Sequence, residues 1–368
     1  MKKIIITTFQ GAHNYGAFLQ AFALQTKLQD LGYNVRILNY KKKYISEEPP
    51  YHFIKSNIKW TIKAAIDTLL HYKTKKKRYD SFNIDIEKYL RLTKKIDNVE
   101  EFSKMLTNEI LITGSDQVWN PLLTNGIDDV YFLNIPNNNV KISYAASLGN
   151  PHNIDNYLLK FKDVIKGIDK ISVREKNAED YINSITNKKI STTVLDPTLL
   201  LTKEQWDKVL RKEDLPNEEY IFAYQVTPDE DYYKIVNKIS KETGLKVVNF
   251  NNDIHFENEI NYFTKGPLAF LVLLKNSKYV ITTSFHATSF SIIFNKKFLV
   301  VTPKKNGNRV TNLLSMVNLE KRSLNNIDDL KKINIDDVIN YNKVNDILSK
   351  ERIKSCEWLK NSIEKGKK

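Results

Sequence analysis

Cysteine is almost absent from this chain of 368 residues, which contains a single one, Cys356. One cysteine excludes an intramolecular disulfide framework and any zinc site built on several thiolates. Long apolar runs are also missing, since no segment approaches the roughly 18 uninterrupted apolar residues of a membrane-spanning helix. The first apolar run stops at Gln10 without a signal-peptide cleavage pattern, so we interpret it as a buried strand. These absences favour a globular protein, and we expect a cytoplasmic location.

Acidic residues are outnumbered, with 43 Asp and Glu against 57 Lys and Arg, for a formal net charge of +14. Such a charge favours an anionic partner: a phosphate ligand, nucleic acid or an anionic membrane surface. The densest basic runs lie at residues 41–43 and 73–78. They are either solvated helix faces or a patch that contacts anionic lipid headgroups, which would place the protein peripherally at the inner membrane face. No nucleic-acid-binding motif accompanies the charge, and we predict no nucleic-acid partner.

The first 40 residues predict a strand, helix, strand unit. KIIITTF is a continuous apolar run, apolar residues recur at helical spacing over 17–31 until Gly32, and VRILNY is a second apolar run. Such a βαβ unit closes onto a parallel sheet. Further strands of this sheet are predicted at residues 109–116, 141–147, 169–175 and 192–197.

A second alternating series follows a polar break. Strands are predicted at 219–226, 246–250, 278–284 and 298–303, and helices at 229–243, 267–276 and 286–295. The fold class is therefore α/β, with two Rossmann-like domains facing a cleft. We expect an N-terminal domain at 1–200 with a mostly helical, basic insertion at about 41–108, a linker at 201–217, a C-terminal domain at 218–343 and a helix at 344–368 that could pack back on the N-terminal domain.

The stretch ITTSFHATSF places His286 where a predicted strand gives way to a predicted helix. Ligands of open α/β sheets bind at this carboxyl edge. Ser284 is a good helix N-cap, and the N–H groups of a first helical turn attract an anion. His286 is therefore either a functional residue in the cleft or a histidine that merely caps a helix or packs in the core.

Other polar residues are also predicted at strand ends. Arg174 in SVRE and Arg309 after KKNG could each bind a carboxylate or phosphate, although Arg174 paired with Glu175 would be purely structural. Asp196 precedes a proline and is interpreted as a turn former. In the first loop, GAHNYG, Asn14 is a good N-cap for a helix start that could hold an anion. The remaining histidines have no partner at metal-ligand spacing, so no metal is expected.

Several stretches taken together resemble the polysaccharide pyruvyl transferase family: TFQGAHNYGAFLQAFALQ, ITGSDQVWN, ISYAASLG, ISVRE, VLDPTLL and KNSKYVITTSFHATSFSIIFNKKF. The resemblance implies a GT-B-like fold, phosphoenolpyruvate as co-substrate with no further cofactor, and a lipid-linked or oligosaccharide acceptor. It implies His286 as the catalytic histidine. The donor-binding candidates are Arg174, Arg309, Ser284, Asn14, Tyr15 and Gly16. The candidates for acceptor binding or structural support are Asp116, Gln117, Trp119 and His13.

The chain departs from the family pattern at two positions beside the histidine. The family commonly has D-S-F-H-G-T, whereas this chain has Thr283 for the acid and Ala287 for the glycine. The resemblance predicts a transferase that forms a pyruvate ketal on a sugar hydroxyl pair during cell-surface polysaccharide synthesis. Two alternatives stay open: a GT-B-type glycosyltransferase using a nucleotide sugar, and a catalytically silent glycan-binding scaffold.

Overall fold

Two parallel sheets organise the molecule. The computed structural model describes residues 1–42, 58–226, 228–302 and 307–366, with only the helical backbone described for 58–70. The first sheet has seven strands in the order β3-β2-β1-β4-β5-β6-β7, and the second has six in the order β10-β9-β8-β11-β12-β13. In each sheet the first strand in chain order, β1 or β8, lies between the second and the fourth strand of that sheet, as in Rossmann-type folds. The predicted two-domain α/β architecture is therefore confirmed.

The strands of the two sheets alternate with helices along the chain. The strands are β1 (Lys3–Thr7), β2 (Asn34–Tyr40), β3 (Leu92–Ile96), β4 (Ile110–Thr113), β5 (Lys141–Ala146), β6 (Lys170–Val173), β7 (Ser191–Thr193), β8 (Tyr220–Tyr224), β9 (Lys246–Asn249), β10 (Glu259–Asn261), β11 (Tyr279–Thr282), β12 (Lys297–Val301) and β13 (Ser323–Leu324). The helices are α1 (Tyr15–Asp30), α2 (Ile58–Tyr89), α3 (Val99–Met105), α4 (Pro121–Thr124), α5 (Leu158–Lys166), α6 (Lys176–Thr186), α7 (Pro197–Leu200), α8 (Lys203–Asp207), α9 (Glu230–Thr243), α10 (Pro267–Asn276), α11 (Phe285–Ile293), α12 (Asn308–Met316) and α13 (Tyr341–Lys365). Short 3₁₀ helices lie at Pro151–Tyr157, Glu320–Arg322 and Ile327–Lys331.

The central strands are buried on both faces because helices cover each side of a parallel sheet. All residues of β4, β5, β8 and β11 are buried. Continuous apolar runs such as ILIT and YVIT satisfy this requirement, which explains why these strands could be recognised from the sequence. Three strands escaped prediction, namely β3, β10 and β13, and all three lie at sheet edges.

The described residues of the insertion predicted at 41–108 are largely helical but include one strand. Residues 43–57 lie outside the described residues, as does the third lysine of the basic run at 41–43. The long helix α2 is present, but the segment LTKKI forms β3, which pairs in parallel with β2. Its lysines are exposed, as is usual on an edge strand, so its sequence lacks the apolar character of a buried one.

The two domains share a hydrophobic core and are in direct contact. One cluster of buried side chains includes residues from both halves of the chain. Trp206 belongs to this cluster, with its ring centroid 5.6 Å from that of Phe22 on α1 and 4.9 Å from that of Phe290 on α11. Contact of this kind fixes the relative position of α1 and α11, which carry the residues described below.

The C-terminal helix α13 packs against the N-terminal domain. Ser355 Oγ accepts a hydrogen bond from the backbone N–H of Leu195 at 3.0 Å, and Arg352 Nε donates to the carbonyl of Leu199 at 2.6 Å. Trp358 lies next to Tyr144 of β5. Among the helices of the described residues, none combines the length and apolarity that crossing a bilayer demands.

Candidate active site

Four polar residues converge where strands of the two sheets end. Arg174 follows β6, Asp196 follows β7, His286 lies in the first turn of α11 after β11, and Arg309 is the second residue of α12 after β12. Each therefore lies at the carboxyl edge of a parallel sheet, the usual place for a ligand in this fold class. Residues 303–306 of the loop before Arg309 lie outside the described residues.

His286 is 8% exposed and enters the site from the start of α11. Ser284 is the N-cap of this helix, and its Oγ accepts a hydrogen bond from the backbone N–H of Ala287 at 3.3 Å. Because Ser284 uses its hydroxyl as a cap, it fixes the helix start and with it the position of the imidazole.

Gly16 provides the space for the histidine ring. A Cβ atom built on Gly16 would lie 2.0 Å from Nδ1 of His286 and 2.5 Å from Cγ. No side chain can occupy that position while the ring stays in place. The first turn of α1, in the N-terminal domain, thus packs directly against a histidine of the C-terminal domain.

Asp196 connects the histidine to the N-terminal domain. Its Oδ2 lies 3.7 Å from Nε2 of His286, which is too long for a hydrogen bond but close enough for an ion pair with a protonated ring. The same oxygen accepts from Arg174 Nη1 at 3.0 Å and from Ser115 Oγ at 3.1 Å. Burial tends to raise the pKa of Asp196, but His286, Arg174 and Thr198 outweigh it and hold that pKa far below its ordinary value. Asp196 is therefore a buried anion that lies beside the guanidinium of Arg174 and the ring of His286.

Arg174 is a fixed cation. Its Nε donates to Glu175 Oε1 at 2.8 Å, and its guanidinium lies 4.6 Å from the centre of the Phe285 ring. Burial by itself lowers the pKa of Arg174, but Glu175, Asp196 and Asp116 raise it above the ordinary value. Two of the Arg174 nitrogens pair with acids, as the structural interpretation expects, while Nη2 has no hydrogen-bond partner among the described residues. The assignment of Arg174 to donor binding remains a prediction.

A cavity of about 230 Å³ opens beside these residues. Its walls include Arg174, Asp196, Phe285, Arg309 and Asn312. One face of α12 forms much of the wall, because Arg309, Asn312, Leu313 and Met316 recur at helical spacing. His286 is not among the lining residues; it lies beside Asp196, which is.

Three buried nitrogen donors in this wall have no hydrogen-bond acceptor among the described residues. They are Arg174 Nη2, Arg309 Nε and Asn312 Nδ2. Burial lowers the pKa of Arg309, and the nearby charge of Arg174 lowers it further. Glu175 Oε2 likewise has no partner in the described part of the chain, but Glu175 does not belong to the cavity wall. Since buried donors normally have acceptors, this arrangement is suited to a ligand with several anionic oxygens.

The candidates from GSDQVWN do not line the cavity, and their assignment to acceptor binding or structural support remains a prediction. Asp116 adopts a positive φ of 66°, and its Oδ1 accepts from the backbone N–H of Gln117. Gln117 Oε1 accepts from Asn120 Nδ2 at 2.9 Å. Trp119 is fully buried, stacks on Phe132 and donates from Nε1 to the carbonyl of Tyr131. Trp119 therefore packs in the core. Of these three candidates, Asp116 alone acts on Arg174, through its charge and in addition to Glu175 and Asp196.

Three residues of the first loop have different neighbours from those of Gly16. Asn14 caps α1 by accepting from the backbone N–H of Ala17 at 3.2 Å. Tyr15 is 1% exposed and stacks on Phe270 at 4.4 Å, inside the hydrophobic core between the domains. His13 lies edge-to-face with Tyr79, at 4.6 Å between ring centres. None of these residues lines the cavity, and their assignment to donor or acceptor binding remains a prediction.

Two residues of the site have only weak signals in the sequence. The Asp-Pro pattern predicts a turn former at Asp196, and this residue does cap α7 by accepting from the backbone N–H of Thr198 at 2.9 Å. Its other oxygen, Oδ2, accepts from Arg174 and lies near His286. A local Asp-Pro pattern does not reveal this second role. Asn312 gave no signal of its own; a helical spacing of three from Arg309 could have indicated it.

Thr283 and Ala287, the two residues beside His286 that depart from the family pattern, do not line the cavity. Thr283 is buried, and its Oγ1 accepts from the backbone N–H of Val226 at 2.9 Å. Ala287 is fully buried in the hydrophobic core, so its methyl group does not narrow the cavity. Among the described residues no cluster of His, Cys, Asp and Glu is suited to a metal ion.

Solved structures with a similar fold include nucleotide-sugar enzymes. The S. aureus MnaA-UDP co-structure matches 99% of this chain and 96% of its own, with a TM-score of 0.55 and 13% identity. UDP-GlcNAc 2-epimerase from Methanocaldococcus jannaschii matches 100% of both chains at 12% identity, with a TM-score of 0.49. At this identity the likeness concerns the fold alone, which is of the GT-B type. No curated protein matches the chain in sequence.

Sequence comparison at the level of families gives a more specific result. The model of the polysaccharide pyruvyl transferase family matches residues 14–305, which include the first turn of α1, Arg174, Asp196 and His286. The match covers well over half of the chain, and the chain therefore belongs to the polysaccharide pyruvyl transferase family and is a transferase.

Proposed function

We propose that the protein transfers the pyruvyl group of phosphoenolpyruvate to two hydroxyls of a sugar as a ketal and releases inorganic phosphate. The observation that carries this proposal is the set of unpaired donors on Arg174, Arg309 and Asn312 in one cavity. Phosphoenolpyruvate has a carboxylate and a phosphate, which forked guanidinium groups bind in pairs of hydrogen bonds. The acceptor is a lipid-linked or oligosaccharide precursor of a cell-surface polysaccharide.

The reaction needs a proton at one carbon and a nucleophile at the next. The methylene carbon gains a proton and becomes a methyl group, while a sugar oxygen bonds to the adjacent carbon and loses its own proton. The bond to phosphate then breaks, and a second sugar oxygen closes the ketal as its proton leaves with the phosphate. His286 is the proposed proton carrier, because an imidazole can give a proton and take one near neutral pH.

Asp196 supports this role through charge. Its carboxylate lies 3.7 Å from Nε2 of His286 and stabilises the protonated ring. Because Asp196 also lines the cavity, the proposal requires the ring to reach the methylene carbon past this carboxylate when the donor binds. Catalytic contacts commonly tighten in the complex with substrate, which is consistent with this requirement.

Phosphate release tests the proposal directly. Purified protein is incubated with phosphoenolpyruvate and a panel of oligosaccharide acceptors, and phosphate is measured for the wild type, His286→Asn and Arg309→Ala. We expect release by the wild type and a loss of at least about 100-fold in both variants. His152→Asn is the matched control, because His152 is an exposed histidine outside the site. Equal release by the wild type and His286→Asn would remove the histidine from the mechanism.

A ligand-binding experiment separates the donor classes. A ligand at about one hundred times its dissociation constant raises the free energy of unfolding by roughly 2.7 kcal/mol. We expect such stabilisation with phosphoenolpyruvate and none with UDP. Stabilisation by UDP alone would favour a nucleotide-sugar enzyme, and a response to neither would favour a silent scaffold.

The peripheral membrane location stays a proposal that rests on charge. Lys73 and Lys77 on α2 are exposed, as a lipid-binding face requires, whereas Arg78 of the same run is half-buried. Binding to vesicles with and without anionic lipid at low and moderate salt tests the location, since attraction to headgroups weakens as salt rises.

A further inference from the structure

A second pocket opens at the carboxyl edge of the C-terminal sheet. This open pocket has a volume of about 690 Å³ and shares no lining residue with the cavity described above. Residues after β8, at the start of α9 and after β9 surround it. Its polar and aromatic wall is formed by Gln225, Asp229, Glu230, Tyr233, Asp253 and His255.

The backbone of Gln225 is held in place by hydrogen bonds, whereas the oxygen of its side chain is not. Its N–H donates to Asn251 Oδ1 at 2.9 Å, and its carbonyl accepts from Asn251 Nδ2 at 2.7 Å. Gln225 is only 5% exposed, and its Oε1 has no hydrogen-bond partner among the described residues. A buried amide with an unmet hydrogen-bonding atom at a pocket wall is suited to a ligand with hydroxyl groups.

Tyr233 adds an ordered aromatic surface. Its ring stacks on Phe256 with centroids 5.7 Å apart and an interplanar angle of 18°, so Phe256 fixes the orientation of the ring. Tyr233 nevertheless remains 40% exposed. An aromatic ring with a polar tip can pack on the apolar C–H face of a sugar while its hydroxyl contacts water.

The charge of the pocket disfavours an anionic ligand. Asp229, Glu230 and Asp253 bring three carboxylates, against Lys234 and the titratable His255. Carboxylates accept hydrogen bonds from sugar hydroxyls and repel phosphoenolpyruvate. In the first cavity, by contrast, Arg174 Nη2 and Arg309 Nε are cationic donors without an acceptor among the described residues, so the two pockets suit different ligands.

The pocket adjoins the strand that leads to His286. Strands β8 and β11 are paired, with Tyr224 opposite Thr282. Beyond them, the backbone N–H of Val226 donates to Thr283 Oγ1. Neighbouring strands lie about 4.8 Å apart, so the pocket begins beside the strand end that carries the histidine.

We propose that this pocket binds the neutral sugar chain of the acceptor. The identity of the bound sugar as acceptor rests on the proposed function, whereas the binding itself does not. Tyr233 packs on one sugar ring, and Gln225 and Asp253 bind hydroxyl groups. The glycan is thereby held with one end directed along the sheet edge towards His286.

The test compares pocket variants of the full chain with a matched control. The probes are neutral disaccharides and trisaccharides ending in glucose, galactose, mannose or N-acetylglucosamine, with binding measured by saturation-transfer NMR and titration. We expect at least one probe to bind the wild type and Tyr233→Ala to weaken it about tenfold, with a smaller loss for Asp253→Asn. Tyr157→Ala is the control, because Tyr157 is exposed to a similar extent, at 37%, and lies outside the pocket.

Enzyme kinetics then separate this proposal from the proposed function. For an accepted sugar, Tyr233→Ala raises the acceptor KM about tenfold and leaves kcat and the phosphoenolpyruvate KM unchanged. Sugar binding that depends on Tyr233 without any phosphate release would keep the pocket and reject the proposed reaction. Failure of every probe to bind, binding unaffected by either pocket variant, or binding of UDP in place of the sugars would overturn the pocket assignment.

Discussion

The backbone of Gly16 lies against the imidazole of His286, so that a Cβ on the glycine would approach Nδ1 to 2.0 Å. The two residues belong to different domains and are separated by most of the chain. Their contact means that the histidine can occupy its position only when α1 and α11 are packed together. The hydrophobic core around Trp206 keeps these helices together and therefore also positions the catalytic candidate.

Gly16→Ala should inactivate the enzyme without unfolding it. Alanine is favoured over glycine in a helix by roughly 1 kcal/mol, so α1 itself should not weaken. The methyl group would force the His286 ring away from its position, and a displacement of about 1 Å can lower the rate about 100-fold. Phosphate release and circular dichroism measure the two effects. Gly167→Ala is the control, because its Cβ would meet only the carbonyl of Val164 at an ordinary 3.5 Å; similar activity in both variants would refute the role of Gly16.

Asp196→Asn should destabilise the protein in a pH-dependent way. The substitution leaves the buried Arg174 with one acid fewer, which lowers the free energy of unfolding at pH 7 by about 3 kcal/mol. Because the pKa of Asp196 is lowered in the folded state, its contribution is complete above the unfolded pKa of about 3.9 and is lost as the pH falls towards the folded pKa. Urea unfolding should therefore show a difference between wild type and variant that narrows below pH 4. The exposed Asp163, changed to Asn, should show no such difference; a gap independent of pH would contradict the assignment of charge to Asp196.

Features that depend on residues close together in the sequence can be predicted from it, whereas features that depend on the packing of distant segments cannot. Buried strands such as β11 can be recognised by their continuous apolar runs, and Ser284 can be recognised as an N-cap from its own position. The edge strand β3 cannot be recognised in this way, because its exposed lysines interrupt any apolar pattern. Residue types at strand ends indicated His286, Arg174 and Arg309. The contact of His286 with Gly16 could not be inferred, since it depends on how the two domains pack.

Asn312→Ala should weaken donor binding more than it slows the chemical step. Asn312 Nδ2 is a buried nitrogen in the cavity wall that has no acceptor among the described residues, so on the proposed function its loss removes one hydrogen bond to phosphoenolpyruvate. We expect the KM for phosphoenolpyruvate to rise about tenfold with little change in kcat. Asn312→Asp should have a larger effect, because it adds a negative charge facing the same anion. Asn308→Ala, at an exposed position of the same helix, should behave as wild type; an unchanged KM in both Asn312 variants would exclude this residue from the donor site.

Arg78→Lys should loosen the connection between the domains. The guanidinium of Arg78 donates from Nη2 to the carbonyl of His13 at 3.0 Å and from Nη1 to the carbonyl of Phe263 at 2.8 Å and to the hydroxyl of Tyr15. It also lies 4.6 to 4.7 Å from the ring centres of Tyr15, Phe82 and Phe263. A lysine keeps the charge but cannot present a planar fork to acceptors from two domains.

We expect the Arg78→Lys substitution to lower the free energy of unfolding by roughly 2 kcal/mol, because hydrogen bonds to a charged group are lost. Activity should also fall, though less than in Gly16→Ala, since Tyr15 immediately precedes the glycine that contacts His286. Urea unfolding and phosphate release measure both effects. Lys77→Ala is the matched control, because Lys77 is an exposed neighbour on the same helix. If Arg78→Lys were as stable and active as the control, the contacts of Arg78 would not hold the domains in the arrangement that positions His286.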